Sequence, residues 1–156
     1  MTAISTQAHA GGMKSNSQDG SFRIVANINM PKGMPGFFAE RDFALLDLGD
    51  EYNPYMAFRS LTSELTLVVV EPRFVISDYK VHIDDANEDL LAISNPTDVL
   101  VLLIATLRAN NTPQVNLLGP IVINTDKKIA AQVVQVESSY VVTHDVSLAL
   151  RRGDRV

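Results

Sequence analysis

A chain that does chemistry near neutral pH needs a base, a nucleophile or a metal shell, and histidine is the side chain most suited to the first and last. This chain has three, His9, His82 and His144, and it has no cysteine. His9 stands in an opening stretch rich in Ser, Gln, Ala and Gly. His82 is flanked by Val81 and Ile83, so on an alternating strand it points away from the core. It can share a strand face with Asp84, and His144 adjoins Asp145. A metal shell wants three or four ligands, and neither pair supplies them. Without Cys, disulfides and thiolate metal sites are excluded. No glycine-rich phosphate loop precedes a helix, no Ser sits in a Gly-flanked nucleophile motif, and no His-Glu pair falls at helical spacing. The reading is therefore no catalytic residues, no metal and no cofactor.

Carboxylates are plentiful, and their distribution is uneven. Between Glu40 and Asp98 thirteen acidic residues stand against four basic ones, a balance of −9, while the rest of the chain carries five acidic and nine basic. Asp84, Asp85, Glu88 and Asp89 are the densest cluster, with only Lys80 nearby. An acidic central half argues against direct nucleic-acid binding, which needs Lys and Arg to neutralise phosphates. It suits a basic protein partner or a surface that repels RNA. From charge alone the simpler reading is a solvated face that keeps a small domain soluble.

The elements that must position these groups are strands. At 156 residues the chain is one ordinary domain. Its apolar fraction is 46% with 6% aromatic and no Trp, so the core is built from Val, Ile and Leu, which favour strands. Phe22, Ile24, Ala26, Ile28 and Met30 alternate with Arg23, Asn27 and Asn29, the pattern of a half-buried strand. Pro31 to Gly36 makes a turn. Phe43 to Leu48, Met56 to Ser60 and Leu65 to Glu71 are further strands, the last closed by Pro72. Tyr79, Val81 and Ile83 alternate again. Asp84 to Leu91 is the one credible helix, capped by Asp84 or Asp85. Val99 to Leu107 reads as a fully buried strand or a core helix, which periodicity does not separate. Val115 to Leu117, Pro120 to Asn124, Ile129 to Val136 and Val141 to Leu148 supply short strands. The expected fold is mainly β, a compact antiparallel barrel-like domain over 21–148 with at most one or two short helices. Residues 1–20 are expected to be a mobile lead-in and 149–156 a frayed basic tail. The longest apolar run, Val99 to Leu107, is nine residues against the ~20 of a membrane helix, and no signal pattern opens the chain, so a cytoplasmic protein is expected.

Three stretches in order resemble the FliW family. Gly33-Met34-Pro35-Gly36-Phe37 is similar to its Gly-x-Pro-Gly-Phe turn. Leu67 to Phe74, with Glu71-Pro72, leads to Asp78-Tyr79 as the family's apolar strand leads to its Asp-Tyr. Val115-Asn116-Leu117-Leu118-Gly119-Pro120-Ile121-Val122-Ile123-Asn124, followed by Gln132, looks like the family's Val-Asn-Leu-x-x-Pro-Ile-x-Ile-Asn and later Gln. Together they run in register over Phe22 to Val146. Arg59 departs from the family by standing where Gln is expected, and Gly119 stands where Ala is commoner.

The resemblance implies an antiparallel barrel-like fold and two protein partners, flagellin and the RNA-binding translational regulator CsrA. FliW-like proteins are thought to hold CsrA away from flagellin messenger RNA until new flagellin takes FliW instead. On that reading Asp84, Asp85, Glu88 and Asp89 are the candidate partner-binding residues. The motif residues Gly33, Pro35, Gly36, Phe37, Glu71, Pro72, Asp78, Tyr79, Asn116, Leu117, Pro120, Asn124 and Gln132 are expected mainly to maintain the fold, because turn residues have local reasons to be there. Neither membrane nor nucleic acid is an expected partner. The rival readings are a flagellin-binding chaperone without the regulator, and a β-barrel enzyme or small-ligand module with its pocket inside the barrel.

Overall fold

In the computed structural model of the chain, residues 2–5, 17–19, 22–109, 112–136 and 138–146 are described. The strands are β1 (Thr2–Ser5), β2 (Ser17–Asp19), β3 (Phe22–Asn29), β4 (Asp42–Asp47), β5 (Met56–Ser60), β6 (Thr66–Val70), β7 (Lys80–Ile83), β8 (Val99–Thr106), β9 (Gln114–Val115), β10 (Ile121–Asn124), β11 (Ile129–Gln132) and β12 (His144–Asp145). One α-helix, α1 (Asp85–Leu91), follows β7, and single 3-10 turns occupy Asp50–Tyr52, Pro72–Phe74 and Pro96–Asp98. β1 and β2 fall within the stretch read from sequence as a lead-in. The rest of that stretch and all of 149–156 lie outside the described residues.

Seven strands close into a barrel in the order β8-β10-β11-β3-β4-β5-β6 and back to β8. Every pairing is antiparallel except the seam between β11 and β3, where Ile129 lies beside Asn29 in parallel register. Inside the barrel Phe43, Leu45, Phe58, Leu100, Leu102, Ile121 and Ile123 are buried, joined by Ala26, Ile28 and Met30. Phe43 and Phe58, diagonal neighbours across the adjacent β4 and β5, stack with centroids 4.5 Å apart and planes 9° from parallel. The lumen is filled by side chains, as small barrels are, which removes the basis for a ligand pocket inside it.

β8 carries the longest apolar run because both its faces are covered. Leu100 and Leu102 point into the barrel, while Val99, Val101, Leu103 and Ala105 face a second core on the outside. That outer core includes Val70, Val75, Tyr79, Val81, Ile83, Leu91, Val122, Val133 and Val146, so it is roofed by β7, α1 and the segment after β11. The run is thus a strand, and the helical alternative is excluded.

Three sequence readings need correction. The alternation over Phe22 to Met30 breaks at a bulge between Ile24 and Ala26. The extra residue, Val25, moves Ile24 out of phase, so it packs with Ala44 and Leu46 outside the barrel rather than with Ala26 and Ile28 inside it. The strand expected over Ile129 to Val136 ends at Gln132, because the next ladder position belongs to Pro120, which has no N–H to give. Val133 N and Gln135 N still donate to Pro120 O and Leu118 O, so the chain stays extended beyond the strand. Val141 to Leu148 contributes only His144–Asp145, paired to β9, and Leu148 lies outside the described residues.

Candidate protein-binding surface

β7 is a strand without a barrel neighbour. Val81 and Ile83 point into the outer core and Lys80 and His82 point out, the orientation the sequence implies for His82. Its inner edge is held by side chains instead of by a ladder. Gln135, only 2% exposed, receives a hydrogen bond from His82 N at 2.8 Å and donates from Nε2 to His82 O at 3.1 Å and to Val133 O at 3.0 Å. Lys80 N donates to the Tyr140 hydroxyl at 3.0 Å. The Tyr140 ring lies 4.5 Å from that of Tyr79, whose own hydroxyl donates to Leu117 O. Burial in this core pushes the Tyr79 phenol far above its ordinary pKa, with Tyr140 adding to the effect.

Beyond Ile83 the chain turns into α1. Asp84 is the N-cap, its Oδ1 accepting from Asn87 N at 3.0 Å and from Asn87 Nδ2 at 2.7 Å. The helix buries Leu91 in the outer core and ends at Ala92, which adopts the left-handed conformation at φ 51°. Asn124 at the end of β10 anchors that terminus, donating to Leu91 O at 2.8 Å and Ala92 O at 3.3 Å, while its Oδ1 accepts from Asp126 N and Lys127 N. Asp84, Asp85 and Asp89 are exposed and Glu88 is half-buried. The structure thus gathers all four predicted carboxylates on one short helix, with Asp84 committed to its cap.

Between β7 and the extended segment after β11 runs a cleft of about 260 Å³, with His82 and Asp84 on one side, Val134, Val136 and Ser138 on the other, and Gln135 and Val133 also lining it. Val134 and Val136 are 53% and 78% exposed. The Ser138 hydroxyl donates to Gln135 O at 2.9 Å, so its proton is turned away from His82. No nucleophile-base pair is assembled among the described residues, nor any group of three metal-ligating side chains. What the cleft offers is an apolar rim, one imidazole and a neighbouring ridge of carboxylates. Of the cleft lining, Asp84 was predicted as partner-binding and His82 was placed on the same face, but the opposite wall from Val133 to Ser138 was not predicted. The available signal was a lone Gln in the apolar run Val133 to Val136, a position where only a buried partner justifies an amide.

The motif residues behave as the local turn chemistry requires. Asn116 Oδ1 accepts from Leu118 N and Gly119 N at 2.9 and 3.0 Å, and Gln132 Nε2 donates to Gly119 O at 2.8 Å. These fix the loop whose carbonyls, Leu117 O and Leu118 O, hold Tyr79 and Gln135. Pro120 is buried there, accepting from Val133. A Cβ on Gly119 would lie 2.7 Å from Gln132 Nε2, so Ala, the commoner family residue, would displace this amide. Pro72 opens a 3-10 turn after Glu71, which pairs with Arg73 at 3.6 Å, and Asp78 takes the left-handed conformation at φ 59°. Gly33, at φ 70°, admits no side chain, because a Cβ would lie 2.5 Å from Phe38 O. Gly36 also has positive φ, Pro35 is exposed between them, and Phe37 and Phe38 stand 49% and 63% exposed. Arg59 is exposed on β5 opposite Ala44 and Thr66, away from the barrel interior.

The family model described as FliW protein matches residues 9–146. The chain belongs to the FliW family. Its relatives named flagellar assembly factor FliW include one from Bacillus subtilis (strain 168), 37% identical over 73% of this chain and 80% of the relative. Another, from Syntrophus aciditrophicus (strain SB), is 36% identical over 76% of each. Among solved structures, a crystal structure of the flagellar assembly factor FliW superposes with a TM-score of 0.72 at 26% identity, covering 88% of this chain and 94% of that one. The FliW fold is thus the barrel with its roofed outer core. Among the described residues no helix is long and apolar enough to cross a membrane.

Proposed function

We propose that this FliW-family chain is a cytoplasmic flagellar assembly factor that works by binding flagellin and a CsrA-type RNA-binding regulator, without catalysis. Holding the regulator relieves its repression of flagellin messenger RNA, and new flagellin releases it again. The observation that carries this reading is the union of family membership with an acidic α1 ridge beside an apolar-rimmed cleft. A regulator that grips RNA presents basic surface, and the ridge can either steer it into contact or set negative charge near the phosphate path. Both effects act over about 8 Å at physiological ionic strength and weaken with salt.

The test is titration of purified chain with flagellin and with the regulator, with and without RNA. It is repeated on a variant carrying Asp84→Asn, Asp85→Asn, Glu88→Gln and Asp89→Asn, where Asn at the first position preserves the cap. Regulator binding that survives while RNA is no longer displaced assigns repulsion to the ridge. Binding that falls assigns contact or steering. If neither changes, the ridge only keeps the domain soluble. A wild-type chain that binds flagellin alone is a chaperone without the regulator, and one that binds neither partner refutes the reading.

A further inference from the structure

The backbone groups of His82 and Lys80 face Gln135 and Tyr140 on the inner side of β7. Because alternate residues of a strand aim their N–H and C=O groups to opposite edges, those of Val81 and Ile83 face outward. No barrel strand reaches that outer edge; it is covered by β1, antiparallel, with Thr2 opposite Ile83 and Ile4 opposite Val81. β1 precedes residue 9, where the match to the family begins, and pairs with β7 alone. Within the matched residues 9–146, β7 therefore has an edge of four residues, Lys80 to Ile83, covered by a segment of the same chain that lies outside the match.

We propose that the outer edge of β7 is a strand-docking site for an extended segment of a protein partner, and that Thr2–Ser5 is its built-in competitor. An uncovered edge is a template for strand addition, in which main-chain hydrogen bonds give affinity and alternate side chains give selectivity. Val81 and Ile83 are fully buried, so docking residues opposite them share the barrel-facing side and are small or β-branched. Those opposite Lys80 and His82, both exposed, share the solvent face and are polar or small. In the chain's own segment the β-branched Thr2 and Ile4 stand opposite Ile83 and Val81, and Ala3 and Ser5 stand opposite His82 and Lys80. Tethered in cis, the segment acts at an effective concentration of order millimolar, so only a better-matched or more concentrated strand displaces it.

The experiment uses the full chain and an Ile4→Pro variant, which removes the N–H facing Val81 and leaves residues 9–146 untouched. Amide hydrogen exchange at Val81 and Ile83 should be slow in the wild type and at least tenfold faster in the variant. The probe is a labelled synthetic peptide of residues 1–7. It should bind the variant about tenfold or more tightly than the wild type and restore slow exchange at both amides. The same peptide N-methylated at Ile4 should do neither. Equal exchange in wild type and variant overturns the competitor. A peptide that fails to protect Val81 and Ile83 in the variant overturns the docking site. Protection that appears in the wild type only with dimer formation, seen by light scattering, overturns the cis arrangement in favour of strand exchange between two copies.

Discussion

Gln135 does with one amide what a neighbouring strand would otherwise do for β7. It satisfies both backbone groups of His82 from a position 53 residues away. Gln135→Ala leaves those groups and Val133 O short of a partner, and an unsatisfied buried group costs about 1–3 kcal/mol. Urea denaturation should show a loss of that size, and a neutral result would mean the clamp is dispensable. Glu40 is a second residue whose role is legible only in three dimensions. Hydroxyls of Ser60 and Ser63, with a longer contact from Thr62, converge on its Oε1. The Ser60 bond first, then that of Ser63, holds its carboxyl below the usual carboxylate range. A folded pKa lowered in this way adds stability that is present above the unfolded pKa and lost as pH falls through the folded one. Wild type should therefore melt above Glu40→Gln at pH ~7, and the gap should close as the pH is taken below ~4. A gap that persists unchanged in acid would refute the charge-assisted role.

At the scale of elements, α1 shows how a helix of seven residues survives: by its ends. Asp84→Ala should cost about 0.5–2 kcal/mol and Asp84→Asn close to nothing, because either oxygen can cap. Ala92 adopts a left-handed conformation that glycine takes freely, so Ala92→Gly should stabilise by about 0.5–1 kcal/mol despite glycine's greater freedom when unfolded. Calorimetric melting of the three variants checks both ends, and a destabilised Ala92→Gly would refute the second. The helix and its cap were readable beforehand, since Asp before an acidic first turn is a local signal. So were the strands near Met56 to Ser60 and Leu65 to Glu71, whose apolar runs are strictly bounded, whereas Val99 to Leu107 was legible as buried but became a strand rather than a helix only through its pairing. The bulge at Val25 was not, since Val suits either face of a strand and only the pairing with Leu45 and Leu46 reveals the extra residue. Nor was the end of β11, which is set by a proline on its partner rather than by its own residues. The candidate surface divides the same way. Its carboxylates are contiguous in sequence and were named; its apolar rim comes from a segment about fifty positions on and was not.

In the whole molecule β8 is one wall shared by two cores. Leu102 lies in the barrel and Leu103 in the outer core, both fully buried. Leu102→Ala and Leu103→Ala should each cost about 2–5 kcal/mol. Each should lower one common transition, read both by tyrosine fluorescence and by far-ultraviolet dichroism. Two separated transitions in Leu103→Ala would mean that the outer core is an independent unit. The parallel seam of the barrel bears on folding order. Asn29 and Ile129 meet across a hundred positions of chain, with Asn29 N donating to Lys128 O at 2.9 Å. Closing so long a loop for one short register is entropically costly, whereas the β3-β4-β5 meander forms from near neighbours. The seam should therefore be unformed in the folding transition state and should part early when the barrel unfolds. Stopped-flow measurements on Ile129→Ala should find unfolding accelerated several-fold with refolding almost unchanged. The barrel, although continuous once made, has a zip, and it closes last.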